Sequence, residues 1–273
     1  MAAVVADTRD HSGNHSKMVI VCQSPSTRSY LKIPLLSRGE SPVKAEDPEV
    51  EELITRCVNE KKTLVATYNA DCLKLADCVV VDVQCDFAKQ DLGNMKTGEA
   101  DMAALEATLK TIGSKIQKEC MVLIETTVAP GTTEFVAWPI LTKEFKKRGM
   151  DDTPILAHSF ERVMPGKEYV ASIRDFWRVC AGCDQTARER VEKFLHEVLN
   201  TKDFPLTVMD RPIESETTKI VENSYRASIL AFMNEWSLFS ERNGVDLTKV
   251  IKAIKMRPTH SNMIFPGPGI GGY

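Results

Sequence analysis

Thirty-one consecutive residues without proline or glycine, residues 213–243, constrain the fold of this chain more than any other feature. The apolar side chains in this stretch recur at steps of three and four residues, which is the spacing of a helix. At 1.5 Å per residue, the stretch predicts a helix about 45 Å long. That length exceeds the usual helix of a globular domain, so we expect the rest of the chain to be organised around it.

The first half of the predicted helix carries a stripe of polar side chains. The stripe consists of Glu216, Lys219, Asn223 and Arg226, at steps of three, four and three residues, so its members share one face. A solvated surface is the usual interpretation of charged residues on a helix. A lysine and an asparagine one turn apart are also a pair that a hydride-transfer enzyme needs to hold and deprotonate an alcohol. The stripe is therefore a candidate catalytic face.

The region before the helix alternates short, continuously apolar runs with helical patterns. Such runs are typical of strands buried on both faces of a parallel sheet that helices cover. The sequence predicts an α/β fold, with a Rossmann-like parallel sheet domain over residues 18–210. The long helix and a partial helical domain follow over residues 211–273. Residues 1–17 are mostly polar and are predicted to be a disordered tail.

The composition excludes several classes of protein. The 35 basic and 38 acidic residues are interspersed and leave a net charge of −3, which argues against a nucleic-acid partner. No apolar run reaches the roughly 18 residues that span a bilayer, so no membrane partner is predicted. Eight cysteines without a secretion signal favour a reducing, cytoplasmic setting. Cys180 and Cys183 have the spacing of half a zinc site, but no second pair accompanies them, and no metal site is predicted.

One element of a dinucleotide-binding domain is missing from the pattern. Such a sheet normally starts with a strand and a G-x-G-x-x-G turn, whose glycines let the pyrophosphate approach a helix N-terminus. No such motif occurs near the N-terminus, and the glycine-rich run at residues 267–272 comes after the helices. The predicted domain therefore lacks the first strand and the glycine turn.

Five stretches of the sequence carry family-type motifs: RGESPV (38–43), ETTVAPGTT (125–133), HSFERVMPG (158–166), ESETTKIVENSYRA (214–227) and FPGPGIGGY (265–273). Together they resemble the UDP-glucose/GDP-mannose dehydrogenase family, the nucleotide-sugar 6-dehydrogenases. The polar stripe fits the family's E-x-x-K-x-x-x-N helix. Arg162 and the residues VMPG after it resemble the subgroup that acts on UDP-N-acetylhexosamines, the UDP-N-acetyl-D-mannosamine dehydrogenases.

The sequence departs from the family pattern at both ends. Residues 18–22 match the family's second strand, so the position of the family's acidic ribose ligand falls at Gln23. The nucleophilic cysteine of the family would follow Tyr273, and the family's C-terminal nucleotide domain has no counterpart here. Within the matching part, Phe160 replaces the usual proline. The resemblance thus describes a chain truncated at both ends, and we expect it to be inactive on its own because the thiolate is missing.

The resemblance implies an NAD-dependent oxidation of the primary alcohol of a UDP-sugar, a UDP-N-acetylhexosamine, to the uronate, and a place in polysaccharide biosynthesis. It assigns catalytic roles to Lys219, Asn223 and Glu161. The cofactor contacts that it implies are Thr127, Gln23 and Val83. The substrate contacts that it implies are Arg162, Phe265, Gly269, Gly271 and Gly272.

The face of the long helix opposite the polar stripe predicts an assembly. Ile229, Phe232, Trp236 and Phe239 recur there at steps of three, four and three residues. An apolar helix face can pair with itself across a two-fold axis, so we expect a homodimer through residues 213–243. Packing of this face on the chain's own sheet domain is the alternative.

Two other functions stay open at this point. A β-hydroxyacid dehydrogenase also carries K-x-x-x-N on the helix after a Rossmann domain, but such enzymes lack the FPGPGIGGY loop and the ERVMPG segment. A non-catalytic interaction module built on the helical core is the other, favoured by the missing glycine turn and nucleophile.

Overall fold

A computed structural model describes residues 1–9, 13, 17–25, 30–88, 98–163 and 166–267 of the chain. The chain divides into two units, residues 1–216 and residues 217–273. The boundary falls inside the long helix, six residues beyond the predicted division (216 against 210).

The first unit holds strands that pair into a five-stranded sheet and two smaller ladders. The strands are β1 Val19–Cys22, β2 Leu64–Thr67, β3 Cys78–Val81, β4 Asp86–Ala88, β5 Glu99–Asp101, β6 Met121–Ile124, β7 Ile155–His158, β8 Val179–Gly182 and β9 Thr207–Val208. The main sheet has the order β3-β6-β7-β8-β9, whereas β1 pairs with β2 and β4 pairs with β5. The predicted α/β class with a Rossmann-like sheet is confirmed.

One strand of the main sheet runs against the predicted direction. The pairs β3–β6, β6–β7 and β8–β9 are parallel, as is β1–β2, but β8 runs antiparallel to β7. An apolar run carries no information on strand direction, which the connection decides. The helix between these strands, α6 Tyr169–Arg174, has only six residues and spans about 9 Å, less than a four-residue strand.

Helices cover the sheet on both faces. The other helices of this unit are α1 Ala2–Asp7, α2 Lys32–Arg38, α3 Glu49–Thr55, α4 Ala103–Gly113, α5 Trp138–Lys147 and α7 Gln185–Val198. Five-residue π-helical turns extend α3 through Glu60 and precede α5 from Thr133. All four residues of β6 are buried, since one cluster packs α4 and α5 on the sheet and another packs α1, α3 and α7 on it. Each large apolar side chain buried in this way stabilises the fold by about 1.5–3 kcal/mol.

The prediction of a disordered tail over residues 1–17 is wrong at its start. Residues 2–7 form α1, and Val4, Val5 and Ala6 are buried in the core that includes α3. Asp7 then forms ion pairs with Arg56 (3.0 Å) and Lys61 (2.5 Å). The helix was not predicted because its six residues are too few to show a helical period, and the residues after them are mostly polar. Residues 10–12 and 14–16 lie outside the described residues.

The long helix agrees with its prediction almost to the residue. It is α8 Pro212–Arg242, against the predicted 213–243. Gly244, at φ +64°, follows it in the left-handed conformation that glycine adopts without strain. In the second unit α9 Leu247–Lys255 comes next, and Asp246 caps it by accepting from the Lys249 N–H at 3.2 Å. No helix among the described residues is both long and apolar enough to cross a bilayer.

Candidate functional site

Three of the predicted site residues lie at one edge of the main sheet. Val83 follows the end of β3 by two residues, and Thr127 and Glu161 follow β6 and β7 by three residues each. These strands are parallel neighbours, so their carboxyl ends meet at the same edge, which is where open α/β sheets bind ligands. All three side chains are half-buried. We call this region the strand-end edge: the residues just beyond β3, β6 and β7.

Gln23 lies at the end of the separate two-stranded ladder. Its backbone N–H donates to the Thr67 carbonyl at 3.2 Å, which extends the parallel β1–β2 pairing by one step. Its side chain is half-buried. Like the other three residues, Gln23 therefore stands at the carboxyl end of a parallel strand.

A buried ion pair lies beneath the strand-end edge. Glu125 directly follows β6 and Arg178 directly precedes β8, and both are buried. Arg178 Nη2 donates to Glu125 Oε1, and Arg178 Nη1 donates to the Phe160 carbonyl at 2.7 Å. Burial raises the pKa of Glu125 above its usual value, and the Arg178 charge opposes that shift. The pair ties the loop after β7 to the end of β6.

Glu161 and Arg162 are held within that same loop. The Glu161 carboxylate accepts from the Val163 N–H at 2.5 Å. The Arg162 guanidinium lies 5.3 Å from the ring centroid of Phe160, and its Nη1 donates to the Trp177 carbonyl at 3.2 Å. Phe160 itself is fully buried. The aromatic ring that replaces the family's proline is thus a packing anchor for the loop.

The first turn of α8 is fixed to the strand-end edge by a buried histidine. His158 ends β7, and its Nδ1 lies 2.9 Å from Ser215 Oγ. Burial lowers the pKa of His158 to about 3, so the ring is neutral at physiological pH. A neutral ring can form one hydrogen bond with the Ser215 hydroxyl without placing a charge in the buried region.

The members of the polar stripe differ in solvent exposure, so the stripe is not one uniform face. Glu216 is only 1% exposed, whereas Arg226 on the same stripe is exposed. The Glu216 carboxylate accepts from the Gly131 N–H at 2.5 Å, the Thr133 N–H at 2.8 Å and the Thr133 hydroxyl at 2.6 Å. These donors belong to the start of the helical segment that leads into α5, whose first N–H groups have no partner within the helix. Glu216 therefore caps that segment.

Lys219 and Asn223 lie in the second unit, on α8. Both side chains are half-buried, and their spacing of four residues places them one turn apart on the same helix face. The structure therefore brings this pair together.

The predicted substrate residues of the glycine-rich end are described only in part. Phe265 is exposed, and Lys255 Nζ lies 5.5 Å from its ring centroid in a cation–π contact. Gly269, Gly271 and Gly272 lie outside the described residues. Across the part of the chain that the structure describes, no group of histidine, cysteine and carboxylate side chains is placed to hold a metal ion.

Sequence reasoning missed several residues of this region: Glu125, His158, Arg178 and Ser215. Two of them left a signal. Glu125 is a charge at the end of an otherwise apolar strand, and Arg178 is a charge directly before another. Buried charged side chains are normally paired with an opposite charge. With the strand order known, Glu125 and Arg178 could therefore have been predicted to form an ion pair.

Family models match nearly all of the chain. Residues 15–200 match the model of the UDP-glucose/GDP-mannose dehydrogenase family, NAD binding domain, and residues 213–273 match the model of that family's central domain.

Individual relatives are similar over most of this chain. The UDP-N-acetyl-D-mannosamine dehydrogenase of Pyrococcus horikoshii is 27% identical over 229 residues, which are 83% of this chain and 50% of the relative. A solved NDP-N-acetyl-D-galactosaminuronic acid dehydrogenase from Methanosarcina mazei Go1 superposes with a TM-score of 0.76 and 30% identity, covering 99% of this chain and 54% of that one. The solved UDP-D-ManNAc dehydrogenase from Pyrococcus horikoshii has a TM-score of 0.79 at 23% identity, with 99% and 58% covered, and shows the shared fold. The chain spans about half the length of these relatives.

Proposed function

Because this chain belongs to the UDP-glucose/GDP-mannose dehydrogenase family, we propose that its residues serve the NAD-dependent oxidation of the primary alcohol of a UDP-N-acetylhexosamine to the uronate. The observation that supports the proposal is the strand-end edge, where Val83, Thr127 and Glu161 each follow one of three neighbouring parallel strands. The substrate class is supported by Arg162 and by curated relatives named UDP-N-acetyl-D-mannosamine dehydrogenase.

NAD, when bound, accepts the hydride that leaves the alcohol carbon. The residues fit this cofactor in kind: the Thr127 hydroxyl and the Gln23 amide can hydrogen-bond to ribose or carboxamide groups, and Val83 offers an apolar contact for a ring. All three stand at carboxyl ends of parallel strands. A glutamine binds a ribose diol less strongly than a carboxylate does, and no G-x-G-x-x-G turn precedes β1 in the sequence, so we expect NAD to bind this chain weakly.

Lys219 and Asn223 are the residues that we assign to the alcohol oxygen. The ammonium group can stabilise negative charge that develops on this oxygen or, when neutral, accept its proton. The Asn223 amide, one turn away, can donate a hydrogen bond to the same oxygen. The Glu161 carboxylate is assigned to the sugar or to activation of water. Arg162, Phe265 and the glycines of the 267–272 run are assigned to the substrate.

The chain by itself is proposed to be inactive. The second oxidation requires that the aldehyde be held on a thiolate, and Cys183 is the last cysteine of the 273 residues. Burial raises the pKa of Cys183 to about 12, which further disfavours a thiolate there. We also propose a cytoplasmic setting, because a reducing compartment suits its unpaired cysteines, and a place in polysaccharide biosynthesis.

The aromatic face of α8 is proposed as a homodimer interface. Phe232, Trp236 and Phe239 are 55%, 45% and 52% exposed, and their rings contact one another edge-on at 6.4 and 5.4 Å between centroids. Exposed aromatic side chains in one stripe mark an interface more often than a solvated surface. A single helix face that pairs with its own copy satisfies two-fold symmetry. An assembly role without catalysis is the second candidate, and this face is the observation that favours it.

The cofactor part of the proposal can be tested by saturation-transfer NMR with NAD. We expect a saturable signal from the 273-residue chain with a dissociation constant of about 1 mM, weakened several-fold in Thr127→Ala. Thr111→Ala is the matched control, because Thr111 is exposed on α4 and bonds only within its helix. The absence of saturable binding up to about 10 mM would favour the assembly role instead. Steady NADH production with UDP-sugars would contradict the proposed inactivity.

A further inference from the structure

An aromatic cluster lies beside the strand-end edge. It consists of Phe176, Trp177 and Phe204. Trp177 stands two residues before β8, and Phe204 stands three residues before β9. Because β8 runs antiparallel to β7 and β9 runs parallel to β8, both strands begin at the side of the sheet where β7 ends. The cluster therefore lies on the same side of the sheet as Glu161, although its residues precede strands instead of following them.

The indole of Trp177 is held in place while about half of the residue stays exposed. Its ring meets the Phe204 ring edge-on, with 5.0 Å between centroids and 83° between planes, and the Phe176 ring at 5.5 Å and 77°. Edge-on contacts are a preferred arrangement of aromatic rings. Phe176 and Phe204 are half-buried, whereas Trp177 is 48% exposed. A ring that its neighbours already fix loses little conformational freedom when a ligand packs on its exposed part.

The guanidinium of Arg162 lies against the backbone of Trp177. Arg162 Nη1 donates to the Trp177 carbonyl at 3.2 Å, and the guanidinium carbon lies 5.3 Å from the ring centroid of Phe160. These contacts hold the half-buried Arg162 between the loop after β7 and the segment before β8. An apolar ring and a group that carries several N–H donors therefore belong to one small surface.

An acetamido group matches this surface in both of its parts. Its methyl group is apolar and is stabilised when an aromatic ring covers it. Its carbonyl oxygen accepts hydrogen bonds from a guanidinium. The hydroxyl that takes this position in a simple hexose has no apolar part, so it gains nothing from the ring. The surface thus distinguishes an N-acetylhexosamine from a hexose.

We propose that Trp177 and Arg162 recognise the acetamido group of a UDP-N-acetylhexosamine. The indole of Trp177 packs on the methyl group, and the Arg162 guanidinium donates to the carbonyl oxygen. Trp177 acts on the substrate of the proposed function, so its role rests on that proposal. The family motif points to Arg162 alone, whereas Trp177 reaches this side of the sheet only because β8 is antiparallel.

Saturation-transfer NMR with UDP-N-acetylglucosamine tests the contact. Irradiation of the protein's aromatic protons transfers saturation to the ligand protons nearest to an aromatic ring. We expect the acetamido methyl group to receive the strongest signal in the native 273-residue chain and to lose most of it in Trp177→Ala. Trp177→Phe keeps an aromatic ring and should keep most of the signal. Leu75→Ala is the control, because Leu75 is 77% exposed and lies three residues before β3, at the opposite edge of the sheet.

A comparison with UDP-glucose separates this contact from the proposed function. The native chain should bind UDP-N-acetylglucosamine about fourfold more tightly than UDP-glucose, the effect of covering one methyl group. Trp177→Ala should abolish this preference without weakening the binding of UDP-glucose, and circular dichroism checks that each variant is folded.

Three results would overturn the role of Trp177. In the native chain, a methyl signal weaker than that of the sugar-ring or uracil protons would place the acetamido group away from the indole. A methyl signal or a preference that Trp177→Ala leaves unchanged would do the same, while the proposed substrate class stands. The absence of saturable binding of either UDP-sugar would contradict the proposed substrate and the role of Trp177 together.

Discussion

Glu216 Oε1 accepts two hydrogen bonds from Thr133, one from the backbone N–H at 2.8 Å and one from the hydroxyl at 2.6 Å. The two residues are 83 positions apart in sequence, on α8 and on the helical segment after β6. Burial raises the pKa of Glu216, and the bonds from Thr133 oppose that shift. The N–H groups at the start of a helix attract negative charge, so they stabilise the buried Glu216 carboxylate. This contact joins the predicted catalytic helix, near its start, to the helical segment that follows β6.

Removing this carboxylate should destabilise the first unit. Glu216→Ala leaves the Gly131 and Thr133 N–H groups buried without an acceptor, at a cost of about 1–3 kcal/mol for each group. We expect a loss of about 3 kcal/mol in the free energy of unfolding, measured by urea denaturation with circular dichroism. Glu235→Ala, at an exposed position of the same helix, is the control and should change stability by less than about 0.5 kcal/mol. Equal losses in the two variants would contradict the capping role.

The Glu125–Arg178 pair predicts a non-additive pair of substitutions. Arg178→Met leaves the Glu125 carboxyl buried without its partner, so we expect a loss of about 3–5 kcal/mol. Glu125→Leu in the same chain removes that unpaired group and should restore much of the stability, because apolar replacements of a buried ion pair are often tolerated. A double-mutant cycle from urea denaturation measures the coupling. Additive losses would show that the two side chains act independently.

His158 predicts a pH dependence of stability. Its pKa in the folded chain, about 3, lies below the value of about 6.5 expected when unfolded. The contribution is therefore complete above about pH 6.5 and is lost as the pH falls toward 3, because only the unfolded state binds the proton in that window. The slope should approach 1.4 kcal/mol per pH unit near pH 5.

Urea denaturation between about pH 7 and pH 5 measures this slope. His158→Gln removes the titrating ring and should flatten the profile by about one proton, whatever its effect on stability at pH 7. His196→Gln changes an exposed histidine on α7 and should leave the slope as it is. An unchanged slope in His158→Gln would assign the dependence to other groups.

The aromatic face of α8 predicts a change in oligomeric state. Trp236→Glu places a charge at the centre of the proposed dimer interface, where it would be buried without a partner. We expect sedimentation equilibrium to show a dimer for the native chain and a weakened or absent dimer for the variant. Asn234→Glu introduces the same charge at another exposed position, about 160° around the helix, and should keep the dimer. A monomeric native chain would contradict the interface.

The sequence pattern predicted those helices and strands whose formation depends on neighbouring residues in the chain. The bounds of α8 followed from an uninterrupted helical period between Pro212 and Gly244, and the strands of the main sheet followed from continuous apolar runs. The short polar strands β4 and β5 lack such runs and were not predicted. Non-local contacts were not predictable in this way. The direction of β8, the burial of α1 against α3 and the capping by Glu216 each depend on segments far apart in sequence.

In the candidate site too, local sequence predicted some features, whereas features that depend on non-local contacts were missed. The sequence placed Thr127 and Glu161 after strands, and the structure shows them at one edge because β6 and β7 are parallel neighbours. It treated Glu216 as one member of a polar stripe, because helical spacing alone does not show which positions another segment covers. Glu125 and Arg178 were missed, since their pairing depends on the order of strands.

The β1–β2 ladder and the main sheet share one hydrophobic core, yet among the described residues no backbone hydrogen bonds connect the two. Two ladders that are connected only by side-chain packing can open separately. Strands that are connected by continuous backbone hydrogen bonds open together. We therefore expect the first unit to open in two steps, in which the ladder with Cys22 and Gln23 opens while the main sheet around β6 stays closed. Amide protons of β1 should then exchange with solvent well before those of β6.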